Sequence, residues 1–376
     1  YIGLFMSDDG GYNWINPIGQ IGSPYSDSIP NLARGSDSWA YHQGFYNCAI
    51  MASKDDPDQI VIGGLNMWRS NDAGVTFECV NGYQCWNYNM HVDMQDFRQF
   101  GNEYWATTDG GIYKSSDFFF TQPTVSMSGV HGSDFWGLGS GWNVDVLVGG
   151  LYHNGNAAYY QDYAAGEFLN LGGGEAPTGY VNPGQDRRVY LSDVGGRIVP
   201  ENIGDPIIGA SMGMAPNESY WAAESSEMEF HPNCHNIIYL GKDNQLFKSS
   251  DGGTLFTAIH TFSVGATVTY IEVSRDAPEV QYAVVRGSGS CTLHKTINEW
   301  NTAVNLALPI STSKGLIAID PSNHNHIWIA FPYGPNGNKV YKSIDGGLNW
   351  TNITSTELNG HSIHSMTHIG GTDGGI

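Results

Sequence analysis

The sequence predicts an all-β fold built from about eight units of four antiparallel strands each. A turn motif of the form Ser-x-Asp-x-Gly-x-x-aromatic recurs along the 376 residues. Neighbouring copies are separated by about 45 residues or by small multiples of that length, and such a fixed period indicates a repeat architecture. The 49 glycines and the 12% of aromatic residues suit tight turns and packed strands, whereas patterns typical of helices are scarce.

The repeated motif is most complete in residues 342–350, which read KSIDGGLNW. Its serine and aspartate can accept hydrogen bonds from backbone N–H groups two residues further on, and its glycine can adopt a positive φ. We therefore interpret the aspartates as structural residues of a hairpin turn and not as catalytic carboxylates. The motif positions are occupied by Ser7, Asp9, Gly11 and Trp14, by Ser70, Asp72, Gly74 and Phe77, by Ser249, Asp251, Gly253 and Phe256, by Ser343, Asp345, Gly347 and Trp350, and by Ser115 and Asp117 in a copy that lacks the glycine.

The spacing of the motif aspartates predicts the number of repeats. Asp72 and Asp117 lie 45 residues apart, and the longer intervals leave room for degenerate copies near residues 162, 206 and 298. A period of roughly 45 residues is that of a four-stranded β-propeller blade. Counting the copies gives eight blades, and seven blades or part of a ten-bladed ring are the alternatives.

The whole chain, residues 1–376, is predicted to form a single propeller domain. Residues 361–376 match the first half of a blade and residues 1–16 match its second half. We therefore expect the two ends to share the last blade and to close the ring, which would leave no open sheet edge. Residues 17–44, rich in Gly, Ser, Pro and Asp, lengthen the first interval and are predicted to be an inserted loop.

The turn motif resembles the Asp-box, or BNR-like repeat, of sialidase-like, sortilin-like and xyloglucanase-like β-propellers. Within residues 45–205, the order HVDMQDF, TTDGGIYKSSD, VLVGGLYHNGN and LGGGEAPTGYVNP is similar to that of secreted propeller proteins of Bacteroidetes. Gln95 stands where that group has a second histidine. The resemblance implies a secreted or cell-surface protein that belongs to a larger secreted polypeptide or assembly.

Two functions from different classes are consistent with this reading. The first is a non-catalytic binding or scaffold module that recognises a glycan or a protein partner through one face. The second is a xyloglucanase-like glycoside hydrolase, which would need two carboxylates across a cleft. Abundant Trp and Tyr favour the second, whereas the repeated turns and the acidic composition favour the first. We predict a binding module.

The candidate functional residues come mainly from a predicted innermost strand. Alternation along HVDMQDF would place His91, Asp93 and Gln95 on one face, directed into the channel. Such residues could form a metal or acid–base cluster, or could hydrogen-bond to one another and to loop backbones. Channel or binding candidates are His91, Asp93, Gln95, His153, Asn154, Glu175 and His364, and the candidate catalytic carboxylates are Asp93, Asp109 and Glu175.

The charge balance restricts the partners. The formal net charge is −21, with only 16 lysines and arginines, so neither nucleic acid nor an anionic membrane surface would be attracted. No apolar run is long enough to insert into a membrane. We predict no metal site and no cofactor, apart from weak Ca²⁺ binding by aspartate-rich loops such as residues 54–58.

The five cysteines cannot all pair internally because their number is odd. Cys79 and Cys85 bracket a short loop and are the expected disulfide. Cys48, Cys234 and Cys291 are expected to be buried small residues or neighbours on strands.

Overall fold

The computed structural model of the chain describes residues 4–15, 46–83, 85, 87–127, 135–141, 145–151, 154–174, 179–184, 186–216, 228–372 and 375–376. The predicted inserted loop, residues 17–44, lies outside these ranges. The chain divides into two compact units, Tyr1–Gly132 and Ser133–Ile376, which we call unit 1 and unit 2.

Unit 1 contains two four-stranded sheets in its described part. They are formed by β1 (Ala49–Ala52), β2 (Ile60–Gly63), β3 (Met67–Ser70) and β4 (Glu78–Asn81), and by β5 (Met94–Phe100), β6 (Glu103–Thr108), β7 (Gly111–Ser115) and β8 (Thr124–Val125).

Unit 2 contains five four-stranded sheets in its described part. The first two are β9 (Phe135–Ser140), β10 (Val146–Leu151), β11 (Gly155–Tyr160) and β12 (Leu169–Gly172), then β13 (Gly179–Val181), β14 (Arg188–Leu191), β15 (Gly195–Ile198) and β16 (Ile208–Ala210). The third is β17 (Met228–Phe230), β18 (Ile238–Lys242), β19 (Gln245–Ser249) and β20 (Thr257–Thr261). The last two are β21 (Thr267–Val273), β22 (Gln281–Arg286), β23 (Cys291–Thr296) and β24 (Val304–Leu306), then β25 (Leu316–Asp320), β26 (Asn323–Ala330), β27 (Val340–Ser343) and β28 (Thr351–Asn352).

Every sheet is an antiparallel meander in which consecutive strands pair with one another. The first strands of neighbouring sheets also lie side by side, β1 against β5 in unit 1, and β9 against β13 and β17 against β21 in unit 2. Within the described ranges, the only helix is a single 3-10 turn, Thr356–Leu358. The all-β prediction is therefore confirmed, and seven four-stranded sheets are described.

Hydrophobic clusters fill the space between consecutive sheets. One cluster joins Tyr282 and Val284 of β22 to Ile327 and Ile329 of β26, all of them buried. Another joins Tyr190 of β14 to buried residues of β17 and β18. Burial of each large side chain contributes roughly 1.5–3 kcal/mol, so the sheets are held face to face by their central strands.

The repeated turns share one hydrogen-bond pattern. In the copy that follows β27, the Ser343 hydroxyl donates to Asp345 Oδ1 (2.7 Å) and accepts from Gly347 N–H (2.8 Å). Asp345 Oδ1 also accepts from the backbone N–H groups of Leu348 (3.1 Å) and Asn349 (2.9 Å). The donors thus lie up to four residues beyond their acceptor, further than the expected two, because the positive φ of Gly347 folds the chain back over both side chains.

Degenerate copies form the same turn without glycine. Phe119 N–H donates to Ser115 Oγ (2.8 Å), and Trp300 N–H donates to Thr296 Oγ1 (2.9 Å). Both donors have a positive φ, 61° for Phe119 and 67° for Trp300, and each such residue costs of order 1 kcal/mol. Both side chains are almost fully buried, so packing offsets the backbone strain.

The predictions for the pairing and burial of the cysteines are confirmed only in part. Cys79 and Cys85 are joined in a disulfide. Cys291 is buried, whereas Cys48 and Cys234 are exposed. Cys48 directly precedes strand β1, which fits the alternative of a strand neighbour.

The terminal segments leave the ring-closure prediction open. Residues 361–372 form no strand. The pairing of residues 361–376 with residues 1–16 would join the two units and stays a prediction. No helix in the described part of the chain is long and apolar enough to cross a membrane.

Candidate functional site

Two glutamates occupy the same position of successive repeats in unit 2. Glu229 lies on β17 opposite Tyr239 of β18, and Glu272 lies on β21 opposite Tyr282 of β22. Their strand neighbours Met228 and Ile271 are buried and belong to the hydrophobic clusters between sheets. Because side chains alternate along a strand, both glutamates project away from those clusters.

The two glutamates line one cavity of about 340 Å³. Its walls come from the first strands of four consecutive sheets, β9, β13, β17 and β21, together with residues that follow them. The strands β9 and β13 approach closely because Gly139 has no side chain, since a Cβ there would lie 2.3 Å from the carbonyl oxygen of Gly179. This contact closes one side of the cavity.

The lining combines polar groups with apolar walls. The ionisable lining residues are Glu229, Glu272, His231 and Arg275. Both glutamates are half-buried, and Arg275 is exposed at the rim. The apolar lining includes Leu138, Tyr180, Met228, Phe230 and Val273.

The environment disfavours negative charge on both carboxyl groups. Burial, and secondly the neighbouring Glu272, hold the pKa of Glu229 well above its usual range, while Arg275 acts in the opposite direction. Burial raises the pKa of Glu272 to about 8, again opposed by Arg275. Two carboxyls that share a poorly hydrated space cannot readily both ionise. Near pH 7 the pair therefore retains protons.

The imidazole at this site is neutral near pH 7. Burial lowers the pKa of His231, an effect that Glu299 opposes and Lys248 reinforces. The described residues contain no group of three or more His, Cys, Asp or Glu side chains placed to hold a metal ion. The cavity thus offers two carboxyl groups, one guanidinium and one neutral imidazole.

The predicted inner strand of unit 1 is organised differently from the expectation. Strand β5 begins only at Met94, and Asp93 before it has a φ of 63°. The pairing register shifts between Met94 and Asp96, so that Gln95 is bulged out. The prediction that His91, Asp93 and Gln95 lie on one strand face is wrong, because the left-handed residue and the bulge both break the alternation.

Unit 1 nevertheless brings three of the predicted residues together. Gln95 Nε2 donates to Asp109 Oδ1 (2.6 Å), and the Tyr46 hydroxyl donates to the same oxygen (3.3 Å). The Asp109 N–H donates to the carbonyl oxygen of Asp93 (3.3 Å). His91 packs against Gly110, where a Cβ would lie 2.3 Å from the His91 Cβ. This arrangement orders a turn between β6 and β7.

The other predicted residues are distributed elsewhere. His153 and Glu175 lie outside the described residues. In unit 2, the Asn154 N–H donates to the carbonyl oxygen of Leu151 in a hairpin turn (3.0 Å), and His364 is exposed on a segment without strands.

Sequence reasoning missed the glutamate pair, although a signal was present. The first strands of successive sheets can be aligned by their pairing with the second strands. Glu229 and Glu272 pair with Tyr239 and Tyr282, and in two other sheets Tyr180 and Ala318 pair in the same way with Tyr190 and Trp328. Two successive repeats with an acidic residue between apolar neighbours could have identified the site.

The fold defines an all-β class built from repeated four-stranded meanders, the unit from which β-propellers are made. The sequence matches no protein-family model, and no curated protein is significantly similar to it.

Three solved structures illustrate what the chain is similar to. The GH74 enzyme of Niastella koreensis has 13% identity and a TM-score of 0.31, covering 93% of this chain and 59% of its own. YCF48 from Cyanidioschyzon merolae has 16% identity and a TM-score of 0.31, covering 86% and 89%. The Cps50 (Swd1) β-propeller domain of Myceliophteria thermophila has 9% identity and a TM-score of 0.43, covering 73% and 88%. The chain thus spans about three fifths of the Niastella enzyme.

Proposed function

We propose that this chain is a secreted or cell-surface β-propeller module that binds a protein partner and catalyses no reaction. In this proposal the Ser-x-Asp-x-Gly turns are Asp-boxes, and the seven described sheets are blades of one closed ring. The meander topology and the side-by-side first strands support this arrangement.

The observation that carries the proposal is the cavity lined by four first strands in unit 2. Its volume of about 340 Å³ lies at the small end of the range typical of ligand sites, roughly 300–1,000 Å³. Such a space accepts one protruding side chain and not a polymer lying across it. Asp109, one of the carboxylates predicted to be catalytic, accepts hydrogen bonds from Gln95 and Tyr46 that order its own turn.

A peptide array and a glycan array, probed with the purified chain, test the proposal. We expect binding to a subset of peptides, lost in the double variant E229Q/E272Q and retained in E279Q. Glu279 is an exposed carboxylate outside the cavity lining and serves as the matched control. Binding to glycans without binding to any peptide would overturn the assignment of a protein partner.

A second candidate function is glycoside hydrolysis, favoured by one observation. A hydrolase needs one protonated and one ionised carboxyl, and Glu229 and Glu272 share a cavity in which Glu272 helps to raise the pKa of Glu229. Release of reducing ends from xyloglucan or other β-glucans tests this candidate. Turnover that disappears in both E229Q and E272Q would establish a hydrolase and refute the non-catalytic proposal.

The proposed location also has a direct test. The acidic composition and the resemblance to exported propellers support secretion or surface display. We expect an antibody to the chain to label intact cells of the source organism, and protease treatment of those cells to remove the label. Protection from protease until the cells are lysed would contradict the proposed location.

A further inference from the structure

We infer that the Glu229–Glu272 cavity is a receptor site for one primary ammonium or guanidinium group, carried by a lysine or arginine side chain of a protein partner. The inference rests on the proposed binding function and names the chemistry of its ligand. It follows from the position of the carboxyls, the charges around them and the shape of the space.

The position of the carboxyls suits a single cationic head group. Glu229 and Glu272 stand at the same repeat position of neighbouring sheets, on strands β17 and β21 that contact each other. A cation placed between them would be shared by two carboxylates, and hydrogen bonds between such charged partners are about twice as strong as neutral ones.

When both carboxyls are ionised, the charged groups around the pair compensate only one of the two negative charges. Among the described residues, these groups on the cavity side are Arg275 and His231, and His231 is influenced in turn by the ion pair between Lys248 and Glu299 (2.5 Å). Lys248 and Glu299 neutralise each other, and His231 is neutral near pH 7. Arg275 compensates one carboxylate, so the second ionised carboxylate would be uncompensated. A cationic ligand supplies the missing charge.

The shape of the space suits a side chain. Leu138, Met228, Phe230 and Val273 provide apolar lining, against which the alkyl stem of a lysine or arginine can pack while its head reaches the carboxyls. Two carboxylates alone provide too few ligands for a metal site, since hard cations such as Ca²⁺ take six to eight oxygens.

Binding is coupled to proton release. The free pair retains protons near pH 7, whereas the bound pair must be ionised to attract the cation. Each carboxyl that ionises on binding transfers its proton to the buffer. Because both carboxyls are ionised in the complex, up to two protons leave per bound cation, so affinity rises by up to about a hundredfold per pH unit below the pKa values of the pair and levels off above them.

Calorimetric titration with small probes tests the cavity directly. The probes are n-butylammonium and n-propylguanidinium, with n-butanol as the uncharged control, each titrated near pH 7 in two buffers of different ionisation enthalpy. We expect both cations to bind with release of one to two protons and butanol to bind at least about tenfold more weakly. Equal binding of butanol, or cation binding without proton release, would overturn the inference.

Matched variants localise the binding. E229Q and E272Q are each expected to weaken cation binding about tenfold or more and to reduce proton release, while E279Q leaves both unchanged. Circular dichroism checks that each variant is folded. Unchanged cation affinity in the double variant E229Q/E272Q would refute the site.

A competition experiment separates this inference from the proposed function. Peptides from the array that contain lysine or arginine should be displaced by n-butylammonium, and replacing that residue by norleucine should abolish binding. If these peptides bind the double variant and the unmodified chain with equal affinity, the cation site is refuted and the proposed binding function is not. Cation binding without any peptide binding would refute the protein partner, with putrescine then expected to bind as a free amine.

Discussion

The substitution Glu272→Gln is expected to change how stability depends on pH. In the folded chain the pKa of Glu272 is about 8, compared with an ordinary value of 4.5. Between these two values the folded state keeps the proton and the unfolded state releases it. Stability should therefore fall as pH rises from about 4.5 to about 8, and should then level off. Glutamine resembles the protonated carboxyl and carries no such dependence.

The magnitude follows from the same two values. A difference of about 3.5 pH units at about 1.4 kcal/mol per unit sets an upper limit of about 5 kcal/mol. The partial exposure of the carboxyl reduces this limit, so we expect about 2 kcal/mol. E272Q should match the unmodified chain near pH 5 and exceed its stability by about 2 kcal/mol at pH 8.5.

Urea unfolding at a series of pH values, followed by tryptophan fluorescence, measures this difference. The difference between the unmodified chain and E272Q cancels the contributions of titrating groups that do not interact with Glu272. Glu229 does interact with it, so E229Q is compared with E229Q/E272Q as well, and E279Q provides the control substitution outside the cavity. A constant difference between E272Q and the unmodified chain from pH 5 to pH 8.5 would show that the glutamate is not held protonated by its surroundings.

Three further predictions concern the framework. Gly347→Ala should lower the free energy of unfolding in urea by about 2 kcal/mol, because φ is 93° and the added Cβ would lie 2.7 Å from a methyl group of Leu306. Gly337→Ala, which has open space around it, should lower it by only about 1 kcal/mol. Equal losses would contradict the packing argument. Asp345→Asn should speed amide hydrogen exchange at residues 348 and 349. Hydrogen bonds from Asn349 and Ser343 lower the pKa of Asp345 to about 2, so the unmodified chain should lose stability as pH falls from 4 to about 2. Asp345→Asn should lack this loss. Arg69→Met should cost about 2–3 kcal/mol in urea unfolding, because the buried Arg69 donates to Glu78 and to the carbonyl oxygen of Phe119; an unchanged midpoint would contradict it.

The repeat could be predicted from the sequence because its turns are local. Ser343, Asp345 and Gly347 satisfy their hydrogen bonds within seven residues, so their spacing alone specifies the conformation. The degenerate copy at Thr296–Trp300 keeps the hydroxyl acceptor and was identifiable for the same reason. Sequence patterns of this kind locate strands reliably because each turn ends one strand and begins the next.

The candidate site could not be predicted in the same way, because it depends on contacts between sheets. Alternation along β5 fails at Asp93 and Gln95, where a left-handed residue and a bulge are imposed by pairing with β6. Glu229 and Glu272 meet only through the packing of β17 against β21. Neither effect follows from the spacing of residues within one strand, since the first depends on backbone conformation and register at the start of the β5–β6 hairpin and the second on packing between strands of different sheets.

The lysine that precedes the turn motif has a consequence for the field around the protein. Lys114, Lys248, Lys295 and Lys342 lie over the rings of Trp105, Tyr239, Tyr282 and Trp328, at 5.1–5.6 Å from the ring centres. These ammonium groups are held against aromatic rings of their own sheets. The chain has only 16 lysines and arginines, so even fewer positive groups extend from its surface into solvent. A basic partner would then be guided towards the protein at long range, with an encounter rate that falls steeply as ionic strength rises.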